Sequence, residues 1–277
     1  MISFLLFILL GLVVGGFGTL IGAGGGFLLT PLLLVFYPSM PTQTVTAISM
    51  FAVLFNSSSG SLAYAYMKRI DYKTGIIFAI ATSPGSIIGT FLTQMIDRNL
   101  FDTIFGVFML VFAFIIAFKS KSGDKSNHIK KNGFCNVVRE LKDREGNKVK
   151  FSFNMLAGIL ISIGVGFISG LLGIGGGIVH VPALVFLGFP AHFATATSHF
   201  VLAFSSLSSV IVHLNDGSLN NYFPMAICIA IGTIVGAQIG ARLSKRIKGS
   251  VIMLCLSAAL ALVSLRILFM GISGMFF

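Results

Sequence analysis

Charge is scarce in this chain. Asp, Glu, Lys and Arg make up 10% of its 277 residues, while 56% are hydrophobic and the mean hydropathy is +0.98. Soluble domains carry about 25% charged and about 45–50% apolar residues. So little charge would not cover the surface left outside a soluble core, which excludes a soluble globular enzyme. Disorder is excluded by the same apolar excess. Cysteine is almost missing as well. Cys135, Cys228 and Cys255 form an odd set with no ligand spacing, so they read as reduced structural thiols and exclude a disulfide scaffold. Alternation at period two, the mark of an outer-membrane barrel, is absent; the apolar residues come in continuous runs. What remains is an all-α integral membrane protein of several spans.

Acidic residues number only eight: Asp71, Asp97, Asp102, Asp124, Glu140, Asp143, Glu145 and Asp216. All fall in expected loops or at helix ends. A carboxylate proton relay and a carboxylate cation site are therefore disfavoured, and so is a cationic substrate, whose charge would go unpaired. Nucleotide motifs are missing too. No Gly-Lys-Ser/Thr follows the glycine clusters, and Phe27 stands where the third glycine of G-x-G-x-x-G would be. No metal site is expected, because no Cys, Asp or Glu joins the histidines at ligand spacing. No cofactor is expected either, beyond a coupling proton or other ion.

The 19 basic residues are not spread evenly. Ten crowd into one segment: Lys119, Lys121, Lys125, Lys130, Lys131, Arg139, Lys142, Arg144, Lys148 and Lys150. Lys68, Arg69 and Lys73 share a short loop, and Arg242, Lys245, Arg246 and Lys248 share another. This clustering follows the positive-inside rule for cytoplasmic loops, whereas a nucleic-acid footprint would lie on a soluble face; no nucleic-acid partner is expected. Met1-Ile2-Ser3-Phe4 lacks a positive n-region, so the first apolar run reads as a retained helix, not a signal peptide.

Spans of about 20 apolar residues cross the bilayer. Candidates are Ile2–Ile21, Thr44–Tyr66, Thr74–Ile96, Phe101–Phe118, Phe153–Leu172, Ala194–His213, Phe223–Leu243 and Val251–Phe269. Phe27–Tyr37 and Ile178–Leu187 are half that length, and each follows a glycine-rich turn and contains a proline. Those turns belong to an internal repeat. Gly22-Ala-Gly24-Gly25-Gly26 precedes Pro31 as Gly173-Ile-Gly175-Gly176-Gly177 precedes Pro182. Downstream, Thr46-Ala47-Ile48-Ser49 pairs with Thr195-Ala196-Thr197-Ser198, and Gly85/Gly89 with Gly236/Gly240. The chain divides into a first membrane repeat (1–118), a basic cytoplasmic loop (119–151) and a second membrane repeat (152–277). Five segments per half is an odd number, so the halves are expected in opposite orientations, with both termini outside and the basic loops inside a cytoplasmic membrane. The short segments span half-way or re-enter. This is the inverted-repeat plan of secondary transporters. In the loop, Phe134, Val137, Val138 and Leu141 have helical spacing and predict an amphipathic turn.

The glycine clusters are the first candidate site. A helix N-terminus presents unpaired N–H groups and a partial positive charge, and glycine lets backbone approach a ligand. Gly24, Gly25 and Gly26 with Gly175, Gly176 and Gly177 are thus expected to hold a small anion at the midplane; close helix packing is the alternative. Polar side chains inside the spans are the second set: Ser49 and Asn56 on one face of a helix that also carries Thr46, with Thr195, Ser198 and His199 in the other half. Each either contacts substrate or bonds a neighbouring helix. His180 and His199 are expected to lie deepest of the membrane histidines, ahead of His192 and His213, and are the proton-coupling candidates. Ser57-Ser58-Ser59 and the Gly85/Gly89 and Gly232/Gly236/Gly240 runs read as packing.

At these motifs the sequence resembles the TauE/SafE family of sulfite exporters. The resemblance covers nearly the whole chain through two G-x-G-G-G-x-x-x-x-P motifs, two Thr-Ala-x-Ser stretches and a central loop between duplicated halves. It departs from the family pattern at His199, where an apolar residue is expected, and in its very basic loop. The resemblance implies transport of sulfite, sulfoacetate or a related organosulfonate, in agreement with the anion argument. The expected protein is therefore a carrier, not an enzyme, working by alternating access. Its partners would be the lipid bilayer and a small anionic substrate. An anion channel, and an intramembrane enzyme built on His180, His199 and the serines, are the alternatives.

Overall fold

The computed structural model describes residues 2–119, 135–142, 144, 146, 148–244, 261 and 264–273. Helices α1 (Ile2–Ile21), α2 (Gly26–Phe36), α3 (Thr42–Tyr66), α4 (Tyr72–Thr93) and α5 (Arg98–Lys119) form the first half. Strands β1 (Asn136–Lys142) and β2 (Lys148–Asn154) follow, then α6 (Met155–Leu172), α7 (Gly177–Leu187), α8 (Ala191–Asn215), α9 (Phe223–Leu243) and α10 (Ser264–Ser273). Among the described residues, seven helices are long and apolar enough to cross a membrane, all except α2, α7 and α10. The expected span Val251–Phe269 lies mostly outside the described residues.

The elements start where local chemistry permits. Pro41 and Pro190 stand at the N-cap positions of α3 and α8, where a missing N–H does no harm. The side chains of Asp71 and Asn154 accept from the backbone N–H of Thr74 and Ala157 and so cap α4 and α6. Pro31 and Pro182 lie inside α2 and α7, and each removes a backbone donor from a helix of only 11 residues.

Close packing pairs α1 with α9 and α4 with α6, so each half contributes one helix to each pair. Glycine makes this possible. A β-carbon on Gly232, Gly236 or Gly240 of α9 would strike the carbonyl oxygen of Ile8, Leu12 or Gly16 of α1. On Gly85 or Gly89 of α4 it would strike the carbonyl oxygen of Ile163 or Phe167 of α6. Backbone meets backbone along both seams, which gives close van der Waals contact without a water-driven hydrophobic term. The contacts advance in the same direction along both members of each pair.

The basic loop departs from its expected form. Val137, Val138 and Leu141 lie on β1, which pairs antiparallel with β2, Asn136 opposite Asn154 and Lys142 opposite Lys148. Phe134 lies outside the described residues. The helical spacing was coincidental, because cross-strand pairing with a second strand outweighs a short amphipathic turn. Phe153, expected to open a span, lies on β2 instead; the helix starts at Met155. Phe151 and Phe153 are buried against Phe189, with ring centroids 4.7 and 4.6 Å away. Arg139 Nε lies 3.3 Å from Asp71 Oδ2 and ties the hairpin to the α3–α4 link.

Candidate functional site

The two glycine turns meet in the interior. Gly25 and Gly176 occupy the N-cap positions of α2 and α7 with φ of +82° and +70°, a left-handed conformation that favours glycine, and no side chain caps either helix. A β-carbon on Gly26 would lie 2.9 Å from Gly173 O, and one on Gly177 would lie 2.5 Å from Gly22 O. Each turn therefore rests on the backbone of the other. A β-carbon on Gly24 would meet Leu202 Cδ2 at 2.7 Å, and one on Gly175 would meet Val53 Cγ1 at 2.7 Å. Gly24 and Gly175 thus face α8 and α3, while Gly25 and Gly176 face Val14 of α1 and Val165 of α6.

The Thr-Ala-x-Ser stretches lie over the turns crosswise. A β-carbon on Gly22 would touch Thr195 Cγ2 at 2.7 Å, and one on Gly173 would touch the Thr46 Cα at 2.8 Å. Thr30 Oγ1 of α2 donates to Gly173 O at 2.8 Å. The outcome is a buried region in which Gly25, Gly26 and Phe27, and Gly176, Gly177 and Ile178, find no backbone or side-chain acceptor for their N–H groups among the described residues. These are the amides that every α-helix start leaves without an intrahelical partner, here at two buried and uncapped starts.

The polar side chains divide into two kinds. Asn56 is fully engaged: Nδ2 donates to Gly15 O at 3.0 Å and Thr233 O at 3.3 Å, and Oδ1 accepts from Thr19 Oγ1 at 3.1 Å. It fastens α3 to α1 and α9 and has no N–H left for a substrate. Ser57 and Ser59 likewise bond the carbonyls of Val53 and Ile234. Ser49 Oγ is buried with no partner, as is Ser169 Oγ. Ser49 stands one turn before Val53, which packs against Gly24, Gly26 and Gly175. Ser169, next to Gly176, was not among the sequence candidates; its only signal was a hydroxyl where the first half has Gly18.

The histidines do not share one site. His180 sits between Ser162 Oγ, 3.2 Å from Nε2, and Ser198 Oγ, 3.3 Å from Nδ1, with its ring edge-on to Phe78. His199 Nε2 lies 3.3 Å from Thr19 Oγ1, its ring is edge-on to Tyr64, and Nδ1 has no partner. His213 is also buried, with Nδ1 3.6 Å from Asp216 Oδ2. Asp102 lies near the N-terminal end of α5, buried and held by Arg98 Nε at 2.9 Å. Arg98 further donates to the carbonyls of Met40 and Leu34 and so secures the end of α2.

Comparison with known proteins places the chain among membrane transporters. A protein 31% identical over 277 residues, covering 98% of this chain and 99% of its own length, is the probable membrane transporter protein YunE of Bacillus subtilis. Another, 32% identical and covering 95% of this chain and 94% of its own, is the probable membrane transporter protein MJ0441 of Methanocaldococcus jannaschii. A probable membrane transporter protein of Haemophilus influenzae is 26% identical over 231 residues, 83% of this chain and 81% of its own. No solved structure shows a significant match. The family described as Sulfite exporter TauE/SafE matches residues 7–267, and the chain belongs to that family of membrane transporters.

Proposed function

We propose that this transporter moves a small sulfur-containing anion, such as sulfite, sulfoacetate or a related organosulfonate, across the cytoplasmic membrane by alternating access. The carrying observation is the pair of uncapped, buried helix N-termini at Gly25 and Gly176, each with unpaired N–H groups. Two partial positive charges and six amide donors suit an oxyanion and require no arginine. The unpartnered hydroxyls of Ser49 and Ser169 add donors of the same kind. The family description supplies the sulfur-oxyanion class. Alternating access follows from reading the halves as inverted repeats, a reading supported by the exchanged α1–α9 and α4–α6 pairs. His180 and His199 are the proton-coupling groups in this reading, and the structure gives each a hydroxyl partner.

A binding screen of the purified protein against sulfite, thiosulfate, sulfate, taurine and sulfoacetate tests the substrate class. Saturable uptake without pore-type conductance separates a carrier from a channel. Ser49→Ala is the sharper probe. Its buried hydroxyl bonds nothing in the protein, so removing it should not lower unfolding stability. A hydrogen bond to a charged group contributes about 1.5–3 kcal/mol, so substrate affinity should fall about tenfold or more. Unchanged affinity in Ser49→Ala removes that residue from the site.

The orientation has its own test. With the basic loops inside, single cysteines at Ser39 and Ser218 should react with an impermeant reagent added to intact cells, and one at Ser126 should not. External labelling at Ser126, with protection at the other two, would invert the arrangement.

A further inference from the structure

A groove of about 760 Å³ opens between the C-terminal ends of α3 and α9, remote in sequence from the glycine turns. Its walls include Leu62, Tyr66, Gln238, Arg144 and Arg242. Leu62 and Tyr66 are one helical turn apart and 72% and 69% exposed, an apolar strip on the outside of the bundle. Arg144 lies over the end of α3, where its backbone N–H bonds Met67 O at 3.2 Å and its guanidinium carbon sits over the Tyr66 ring, 3.8 Å from the centroid. This cation–π contact restrains the guanidinium, whose N–H groups remain able to meet an anion. Neither Arg144 nor Arg242 meets a carboxylate among the described residues. Gln238 is held in place by donating to Ser59 O at 2.8 Å.

We propose that this groove is a binding site for an anionic phospholipid, its phosphate between Arg144 and Arg242 and an acyl chain along Tyr66 and Leu62. Charge complementarity at the head and an apolar strip leading from it toward the bilayer match both ends of such a lipid. A free oxyanion would use only the head. The link after α3 adds Lys68 and Lys73 at the same end of the bundle, where basic side chains meet the anionic leaflet. An aromatic ring at this height is the usual interface anchor.

The test uses the purified full chain stripped of lipid, with dioctanoyl phosphatidylglycerol as probe. It should bind one to one and raise the Tm. The double variant R144Q/R242Q should bind about 30-fold more weakly, from the roughly fivefold that each basic side chain adds at an anionic surface. Lys148→Gln, on the hairpin outside the groove, should bind as the unaltered protein does. Inorganic phosphate should neither raise the Tm nor displace the lipid. Equal phosphatidylglycerol affinity in the double variant would overturn the site. Competition by inorganic phosphate at matching affinity would overturn the lipid assignment and leave a free-anion site.

Discussion

Valine at Gly25 or at Gly176 is expected to abolish substrate binding, and alanine at either to weaken it at least tenfold. Both residues have positive φ, where an ordinary L-residue pays about 1–2 kcal/mol and a β-branched one is a true outlier. The added β-carbon does not project toward α3 and α8. At Gly25 it would press on Val14 O at 3.0 Å, and at Gly176 on Val165 Cγ1 at 2.9 Å. The loss therefore comes from pushing each turn off its supporting helix, which displaces its free amides. A strain of this size leaves most of a domain's stability of about 5–15 kcal/mol, so folded alanine variants should be recoverable. Because the two turns share a motif and a backbone conformation, the two positions should behave alike. The decisive measurement is substrate affinity of purified, monodisperse variants. Unaltered affinity in both Gly25→Val and Gly176→Val would sink the anion site and leave these glycines as packing elements.

Gly236→Ala and Gly85→Ala are expected to fail differently, through loss of folded protein. Each β-carbon would collide with a carbonyl oxygen, of Leu12 in α1 or of Ile163 in α6. A backbone oxygen does not rotate aside as a side chain does, so α1 must separate from α9, or α6 from α4. The cost should reach about 3 kcal/mol, the upper part of the range for overpacking. Affinity per folded molecule should stay near normal, since neither glycine touches the turns. Gly164 provides the contrast: it lies on α6 with nothing within 4 Å of an added β-carbon. Gly164→Ala should therefore keep full yield and gain about 0.5–1 kcal/mol from lower backbone entropy. Monodisperse yield from size exclusion and thermal unfolding of the three variants checks the contrast. Equal yields for Gly236→Ala and Gly164→Ala would mean that the seam is loose.

The helices were legible because apolar runs of span length leave a folding chain few options in a bilayer. The half-length of α2 and α7, their glycine turns and their prolines were legible for the same reason: each is a local signal. The hairpin was not. Val137, Val138 and Leu141 fit a helical face by spacing, and only the pairing of β1 with β2 and the docking of Phe151 and Phe153 on Phe189 settle their conformation.

Among the site candidates, residue type and position along the chain singled out Ser49, Asn56, Thr195, Ser198 and His199 as one polar set. The packed molecule separates them. Asn56 spends both N–H groups on Gly15 and Thr233. Ser198 bonds His180, and His199 lies against Thr19. Ser49 and the unforeseen Ser169 keep free hydroxyls. Sequence by itself thus determined the membrane class and the two glycine-led half-helices, because composition, run length and glycine motifs act locally along the chain. Which hydroxyls and amides stay unpaired was decided only by the tertiary structure. A hydrogen-bonding group is satisfied by whatever the other half brings within about 3 Å, and that distance is not written in either half alone.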